Sequence, residues 1–310
     1  MDIILHHYDE SSFSEKVRLM LGWKRLAWHS VEIPSHGPKP EYTPLTAGYR
    51  RTPALQVGAD VYCDTRLIAE ELERRVPEPS LFPACEDVRA RALSEVLTSW
   101  AEQQLFRPLA VAVTGEHAAR FPAAFHADRA ALHGKPRPDL ARVMAAARHH
   151  RPQFEAQLRW LEDLLADGQA FVLGARACVA DFAIYAAPWF LETVGGRSEV
   201  LDALPLTRAW MARVAAIGHG HRRAMRAADA WSAAAACAPL PCMASGACMA
   251  TGFALGEMVR VAAFDQQAQA QGRLSALDDE RISLRNHVDG IGEIATHFPR
   301  LGYRLRAVHA

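Results

Sequence analysis

The sequence has no net charge: 35 basic residues balance 35 acidic ones across 310 positions. No overall positive field is available to draw in a phosphate backbone, so nucleic acid is not an expected partner. Cysteine is scarce, with six residues and no tight pairing pattern, which argues against a disulfide framework and for a reduced, cytoplasmic setting. Long apolar runs are missing as well. Nothing reaches the roughly 18 uncharged apolar residues of a membrane span, so no membrane partner is expected. The opening Met1-Asp2-Ile3-Ile4-Leu5-His6-His7 has no basic region ahead of its short apolar run, and so does not read as a signal peptide. No glycine-rich phosphate loop and no Gly-x-Ser-x-Gly elbow is present. Cys237, Cys242 and Cys248 stand five and six apart, wider than paired zinc ligands usually do. The histidines at 6–7, 149–150 and 219/221 share no ligand spacing, and no metal is expected.

What is there is ordinary for a globular chain: half the residues are hydrophobic and 23% are charged. The length suits about two domains, with room for a third. The first 80 residues alternate strand-like and helix-like runs. Ile3 to Tyr8 reads as a strand and Asp9 to Ser12 as a turn. Phe13, Val17, Met20 and Leu21 then recur at helical spacing, with Ser11 or Ser12 as the cap. Trp28 to Ile33 reads as a second strand. After a proline-rich loop, Ala54 to Val57 and Val61 to Cys63 form a hairpin around Gly58-Ala59-Asp60. A helix then begins at Thr65 and ends before Pro77. The order β-α-β, loop, β-β-α is that of a thioredoxin-like α/β domain.

Residues 86–228 read as an all-α helical bundle. Leu93, Val96, Leu97 and Trp100 share one helical face, as do Phe154, Leu158, Leu161 and Leu165. The stretch from Phe121 to Pro138 is less periodic and reads as a loop or lid. Residues 229–252 read as a linker. Alternating runs near 258–261, 272–277, 281–285, 292–296 and 303–308 then predict a small C-terminal β-barrel, SH3-like in size, over 253–310. Phe298 and Tyr303 are expected in its core, flanking a turn.

Several segments of this pattern resemble the glutathione S-transferases. Ser11-Ser12-Phe13-Ser14-Glu15-Lys16-Val17-Arg18 resembles the start of that family's first helix, in its zeta and omega versions. Tyr49-Arg50-Arg51-Thr52-Pro53-Ala54-Leu55 resembles the approach to its cis-proline. Asp64-Thr65 stands where the family has Glu-Ser or Gln-Ser. Phe171-Val172-Leu173-Gly174 through Asp181-Phe182 resembles its C-terminal domain signature. The ordered set covers about residues 1–225. Three departures stand out. Cys178 replaces the Ser or Thr of a capping box with Asp181. Phe13 replaces the zeta-type Cys, against isomerase chemistry. Ser11 replaces the omega-type Cys, against disulfide exchange by the protein itself.

The resemblance implies a domain over 1–80 that binds glutathione, and a thiol that must ionise. A free thiol near pKa ~8.5 is mostly protonated at neutral pH. A hydroxyl donor and a helix N-terminus both favour the thiolate. Ser11, then Ser12, can combine the two, while the bland alternative makes both simple caps. Tyr8 is a rival donor whose alternative role is packing. A cis Thr52-Pro53 bond would leave the Thr52 amide and carbonyl to pair with an extended peptide. Asp64 can take the ligand's amino group, and the N–H groups and hydroxyl at Thr65 can take a carboxylate; both residues are also natural caps. Arg51, with Arg50 beside it, is a candidate for the glycyl carboxylate or a surface charge, and Lys39 is a weaker one. Trp100 and Phe106 are candidates for the electrophile site. The function so implied is a glutathione transferase acting on a small electrophile, as a homodimer. The alternatives are a non-catalytic scaffold of this fold, its C-terminal β unit recruiting an unknown partner, or a glutathione-dependent reductase or peroxidase.

Overall fold

Strand β1 (Ile4–His7) sends alternate side chains into different cores: Leu5 faces one and Ile4 the other. In the computed structural model, which describes residues 2–84, 87–241, 252–267 and 269–308, this strand lies inside a ten-stranded sheet. It pairs in parallel with β2 (Ala27–Glu32) and antiparallel with β3 (Ala54–Val57), which pairs antiparallel with β4 (Asp60–Cys63). Helices α1 (Ser12–Trp23) and α2 (Thr65–Arg75) cover the Leu5 face. The thioredoxin-like order expected from the pattern is therefore present.

The helical part runs through α3 (Val88–Trp100), a π-helical turn at 101–105, α4 (Phe106–Glu116), α5 (Ala123–Leu132), α6 (Leu140–Leu164), α7 (Val179–Gly195), α8 (Glu199–Asp202) and α9 (Pro205–Ala215). Leu105, Leu109, Phe154, Leu158, Leu161, Phe182 and Trp210 join Leu5, Val17 and Leu19 in one continuous core, so the helical part is packed on α1 rather than tethered to it. Asp181 pins the start of α7. It accepts from the amides of Val172 and Cys178, each at 3.0 Å, and from the Trp210 indole at 2.9 Å. The capping box forms with Cys178 as the cap. Among the described residues no helix is long and apolar enough to cross a membrane.

Three segments differ from expectation. The supposed loop or lid at 121–138 contains α5, whose alanines favour helix without leaving a bulky apolar stripe to read. Residues 221–224, read as helical, form β5 (His221–Ala224), paired in parallel with β2. All four residues are exposed, so no hydrophobic pattern announces this strand; beyond its main-chain bonds to β2, Arg222 pairs with Asp9 at 2.8 Å and Glu32 at 2.9 Å. The chain reaches it through a tight passage: a Cβ on Gly22 of α1 would lie 1.9 Å from the Gly218 carbonyl, so only glycine fits there. The first part of the supposed linker is α10 (Ala227–Ala235), with Ala230 and Ala234 buried. Cys242 and Cys248 lie outside the described residues.

The C-terminal strands are β6 (Met258–Ala263), β7 (Ala270–Leu277), β8 (Arg281–Val288), β9 (Gly292–Pro299) and β10 (Tyr303–Ala307), in the antiparallel order β10-β6-β7-β8-β9. Phe298 and Tyr303 are buried on either side of the last turn, as expected. The unit does not stand apart. Strand β9 pairs in parallel with β4, Asp60 opposite Ala295 and Tyr62 opposite His297. Its apolar residues share a core with Ile4, Val31, Tyr42, Leu45, Tyr49 and Val61. Both edges of the thioredoxin-like sheet are thus covered, one by β5 and one by β9, which removes two templates for edge-to-edge association.

Candidate functional site

The N-terminus of α1 brings the two serines to the expected place. Ser11 is the N-cap, and its hydroxyl oxygen accepts from the Ser14 amide at 3.2 Å. Capping uses a lone pair, so the Ser11 O–H hydrogen is left to donate. Ser12 is the first helical residue, and both serines are buried. Glu15, in the first turn, is engaged by Arg18 at 2.7 Å and by His219 at 3.0 Å. Tyr8 lies nearby at the end of β1. Arg129 Nη2 of α5 is 3.4 Å from its hydroxyl, and Lys39 Nζ sits 5.8 Å from its ring centroid.

The Thr52–Pro53 peptide is cis. Neither the amide nor the carbonyl of Thr52 enters a hydrogen bond among the described residues. Its hydroxyl accepts from Lys39 Nζ at 2.8 Å. Lys39 is buried, over the rings of Tyr8 and Tyr42. Among the described residues it meets no carboxylate. Burial, and then the positive charges of Arg129 and Arg50, push its amine down to about 7. A buried ammonium without a counter-charge is unfavourable in the free protein and favours an anionic ligand. The sequence ranked this residue below the arginines; its only signal was a basic side chain set between Pro38 and Pro40.

The arginines are engaged elsewhere. Arg50 pairs with Asp128 of α5. Arg51 pairs with Asp265, in the turn between β6 and β7, at 2.8 Å. Asp64 has φ of 79° and caps α2, its Oδ1 accepting from the Arg66 amide at 3.0 Å. Its Oδ2 accepts from the Tyr303 hydroxyl at 2.9 Å. Burial, then the nearby Glu102 carboxylate, raises the Asp64 carboxyl above its ordinary value, against the Arg66, Tyr303 and Lys16 contacts that lower it. The Thr65 hydroxyl accepts from Lys16 Nζ at 3.0 Å and lies 3.3 Å from Glu102 Oε1. Asp265 and Tyr303 are contacts the sequence could not announce, because they come from a turn and a strand more than two hundred residues away.

Phe106 lies where the two domains meet. Its ring packs edge-on against Phe13 of α1 at 5.1 Å and against Phe190 of α7 at 5.6 Å, giving an apolar wall between the two domains. Trp100 points into the helical bundle, donating to Gln157 Oε1 at 2.9 Å. A second polar constellation joins β4, β8 and β9. Ser283 Oγ is 2.8 Å from His297 Nδ1, and His297 Nε2 is 2.9 Å from Asp60 Oδ1. All three side chains are buried in the β4–β9 seam, which suits a structural weld rather than a nucleophile.

Comparisons with known proteins bear on this geometry. The N-terminal domain profile of the glutathione S-transferases matches residues 5–80, and the C-terminal domain profile of that family matches residues 144–213. A GST-like protein from Pseudomonas syringae is 33% identical, with a TM-score of 0.76, over 99% of each chain. The chain belongs to the glutathione S-transferase family. This last match runs the full length, C-terminal strands included. A glutathione S-transferase from Rhodospirillum rubrum superposes with a TM-score of 0.54 at 22% identity, over 69% of this chain and 87% of its own, and shares the fold. FtsZ-localized protein A of Caulobacter vibrioides is 27% identical over 186 residues, which are 58% of this chain and 72% of that protein.

Proposed function

We propose that this chain binds glutathione in the cleft between β1, the cis-proline turn and α1, and activates its thiol for attack on a small electrophile. The observation that carries the reading is Lys39, a buried ammonium with no acidic partner among the described residues, beside the unpaired main chain of Thr52. Lys39 takes the glycyl carboxylate in place of the expected Arg51 or Arg50, which face Asp265 and Asp128. The Thr52 amide and carbonyl pair with the cysteinyl main chain as a short added strand. A carboxylate has about four lone-pair sites. Asp64 uses two of them internally, so it retains capacity for the ligand's ammonium. The amide of Thr65, at the start of α2, takes the α-carboxylate.

The sulfur then lies at the N-terminus of α1. Ser11 donates its remaining hydrogen to the thiolate, and the helix end adds partial positive charge. Ser12 and Tyr8 are the alternative donors. The thiolate forms a carbon–sulfur bond to an electrophile held against Phe13, Phe106 and Phe190, and the leaving group departs with its electron pair. Pairing of two copies is supported by an exposed apolar stripe on α3, where Val88 is 73% and Val96 61% exposed.

A second reading, binding without turnover, is favoured by a specific observation: the C-terminal unit already engages Asp64 and Arg51. The similarity to FtsZ-localized protein A, a protein named for where it localises, supports it too. Calorimetry with glutathione on wild type and Ser11→Ala, alongside a general electrophile assay, separates the two. Binding with turnover that falls in the variant supports the transferase. Binding without turnover supports the second reading, and no binding at millimolar glutathione removes the ligand assignment.

A further inference from the structure

Two guanidinium groups from different domains meet on one carboxylate oxygen. Arg51 Nη2 donates to Asp265 Oδ2 at 2.8 Å, and Arg107 Nη2, from the first turn of α4, donates to the same atom at 2.6 Å. The turn that carries Asp265 continues the bridge. The Gln267 amide donates to the Leu132 carbonyl at 2.9 Å, and His133 Nδ1 lies 2.9 Å from the Asp265 carbonyl. Arg304 Nη2 of β10 holds the Gln266 carbonyl at 2.6 Å. The β6–β7 turn is thus a strap from the C-terminal strands across the boundary of the other two domains, at the end where Tyr303 meets Asp64.

Two features make the strap displaceable, and a third fixes the charge of its occupant. The pairs are part-exposed, with side-chain exposures of 36% for Arg51, 49% for Arg107 and 26% for Asp265, and ion pairs in contact with water contribute little net stability. Closure buries Gln266 while its Oε1 finds no partner among the described residues, an arrangement that opening would relieve. Burial alone would raise the Asp265 carboxyl, but Arg51 and Arg107 more than offset it and hold it low, so the occupant is an anion at neutral pH. An external carboxylate offers the arginines the same chemistry.

We propose that Arg51 and Arg107 form a carboxylate-binding site spanning the two domains, in which Asp265 is the chain's own occupant and which a free carboxylate enters by displacing it. The free carboxylate is that of a plain dicarboxylate, since Lys39 and Thr65 take the two carboxylates of glutathione, and only the second arm of the test rests on the glutathione reading. Full-length wild type and Asp265→Asn are titrated with glutarate and, separately, with glutathione. Removing the internal competitor is expected to tighten glutarate binding about five-fold, and adding Arg107→Gln to remove the gain. Glutarate affinity that is unchanged, weaker or absent in Asp265→Asn overturns the proposal. A glutarate gain with no glutathione binding to either protein overturns the glutathione reading alone. If Asp265→Asn does not fold, hydrogen exchange on the wild type decides. Saturating glutarate is expected to speed exchange of the Gln267 amide, and unchanged exchange overturns the proposal.

Discussion

The hydroxyl of Tyr303, on the last strand, donates at 2.9 Å to Asp64 Oδ2, a cap 239 residues earlier in the chain. Tyr49, before the cis-proline, lies 2.6 Å from the same hydroxyl. The residue expected to hold a ligand's amino group is therefore set by a hydrogen bond from the C-terminal strands. Those strands help to position Asp64.

Tyr303→Phe removes a buried donor to a carboxylate while keeping the ring. The loss is expected to be about 1–3 kcal/mol in denaturant unfolding. Its pH dependence carries the sign. Asp64 is already raised in the folded state, so the folded protein binds more protons there than the unfolded chain, and stability falls as pH rises through that window. The variant loses a contact that favours the ionised form, and so is most destabilised at pH 7 and least at pH 4. Equal destabilisation at both values would mean that Tyr303 acts by packing alone.

Lys39→Met is expected to stabilise the fold and weaken glutathione binding. The amine stands at about 7 in the folded protein against an ordinary value of 10.5. Below pH 7 the buried charge is fully present and destabilising; between 7 and 10.5 the unfolded chain binds more protons, so stability rises with pH. The substitution should add on the order of 2 kcal/mol at pH 6 and little at pH 10, as read by thermal melts. Glutathione affinity should fall at least about ten-fold. A variant less stable at pH 6 would show that the Thr52 bond and the two tyrosine rings outweigh the desolvation.

Acid should unfold the protein through β1. Burial lowers His6 to about 4, with the Gln56 bond opposing it. Burial, then Arg18 and Arg222, lowers His7 to about 3, against Asp9. Both are neutral in the folded state where the unfolded chain protonates near 6.5. Stability is therefore lost as pH falls from 6.5, at up to about 1.4 kcal/mol per pH unit for each histidine. His7→Leu should reduce the slope between pH 6.5 and 4, leaving the share of His6 and of buried His297. A slope that does not change would assign the acid response to other groups.

Much of the N-terminal domain was legible because its strands and helices carry clean periodicity: Ile4 and Leu5 alternate, and Val17, Met20 and Leu21 recur on one face. Ser11, Thr52-Pro53 and Asp64 were legible because caps and X-Pro turns have local chemistry. Strand β5 was not, since its exposed residues carry no hydrophobic pattern and the partners of Arg222, Asp9 and Glu32, are far away in sequence. The partners of Arg50 and Arg51 were not either. Asp128 and Asp265 are ordinary surface-type residues until the fold brings them across the cleft, and an arginine read alone does not reveal whether a ligand or an aspartate will meet it.

The seam between β4 and β9 decides whether the C-terminal strands unfold on their own. His297 stacks on Tyr62 at 4.8 Å and links Ser283 to Asp60, whose other oxygen accepts from the Leu240 amide at 2.9 Å. His297→Phe keeps the stacking but strands a buried carboxylate and a buried hydroxyl, a loss of about 2–4 kcal/mol. Adding Asp60→Leu removes the orphaned charge, so the double variant should recover part of that loss, and the two substitutions should not add. Because Ile4, Val61, Val259 and Phe298 occupy one core, every variant should still unfold in a single transition by both circular dichroism and tryptophan fluorescence. Additive losses with two separated transitions would show instead that the C-terminal strands form an independent unit resting on the sheet edge.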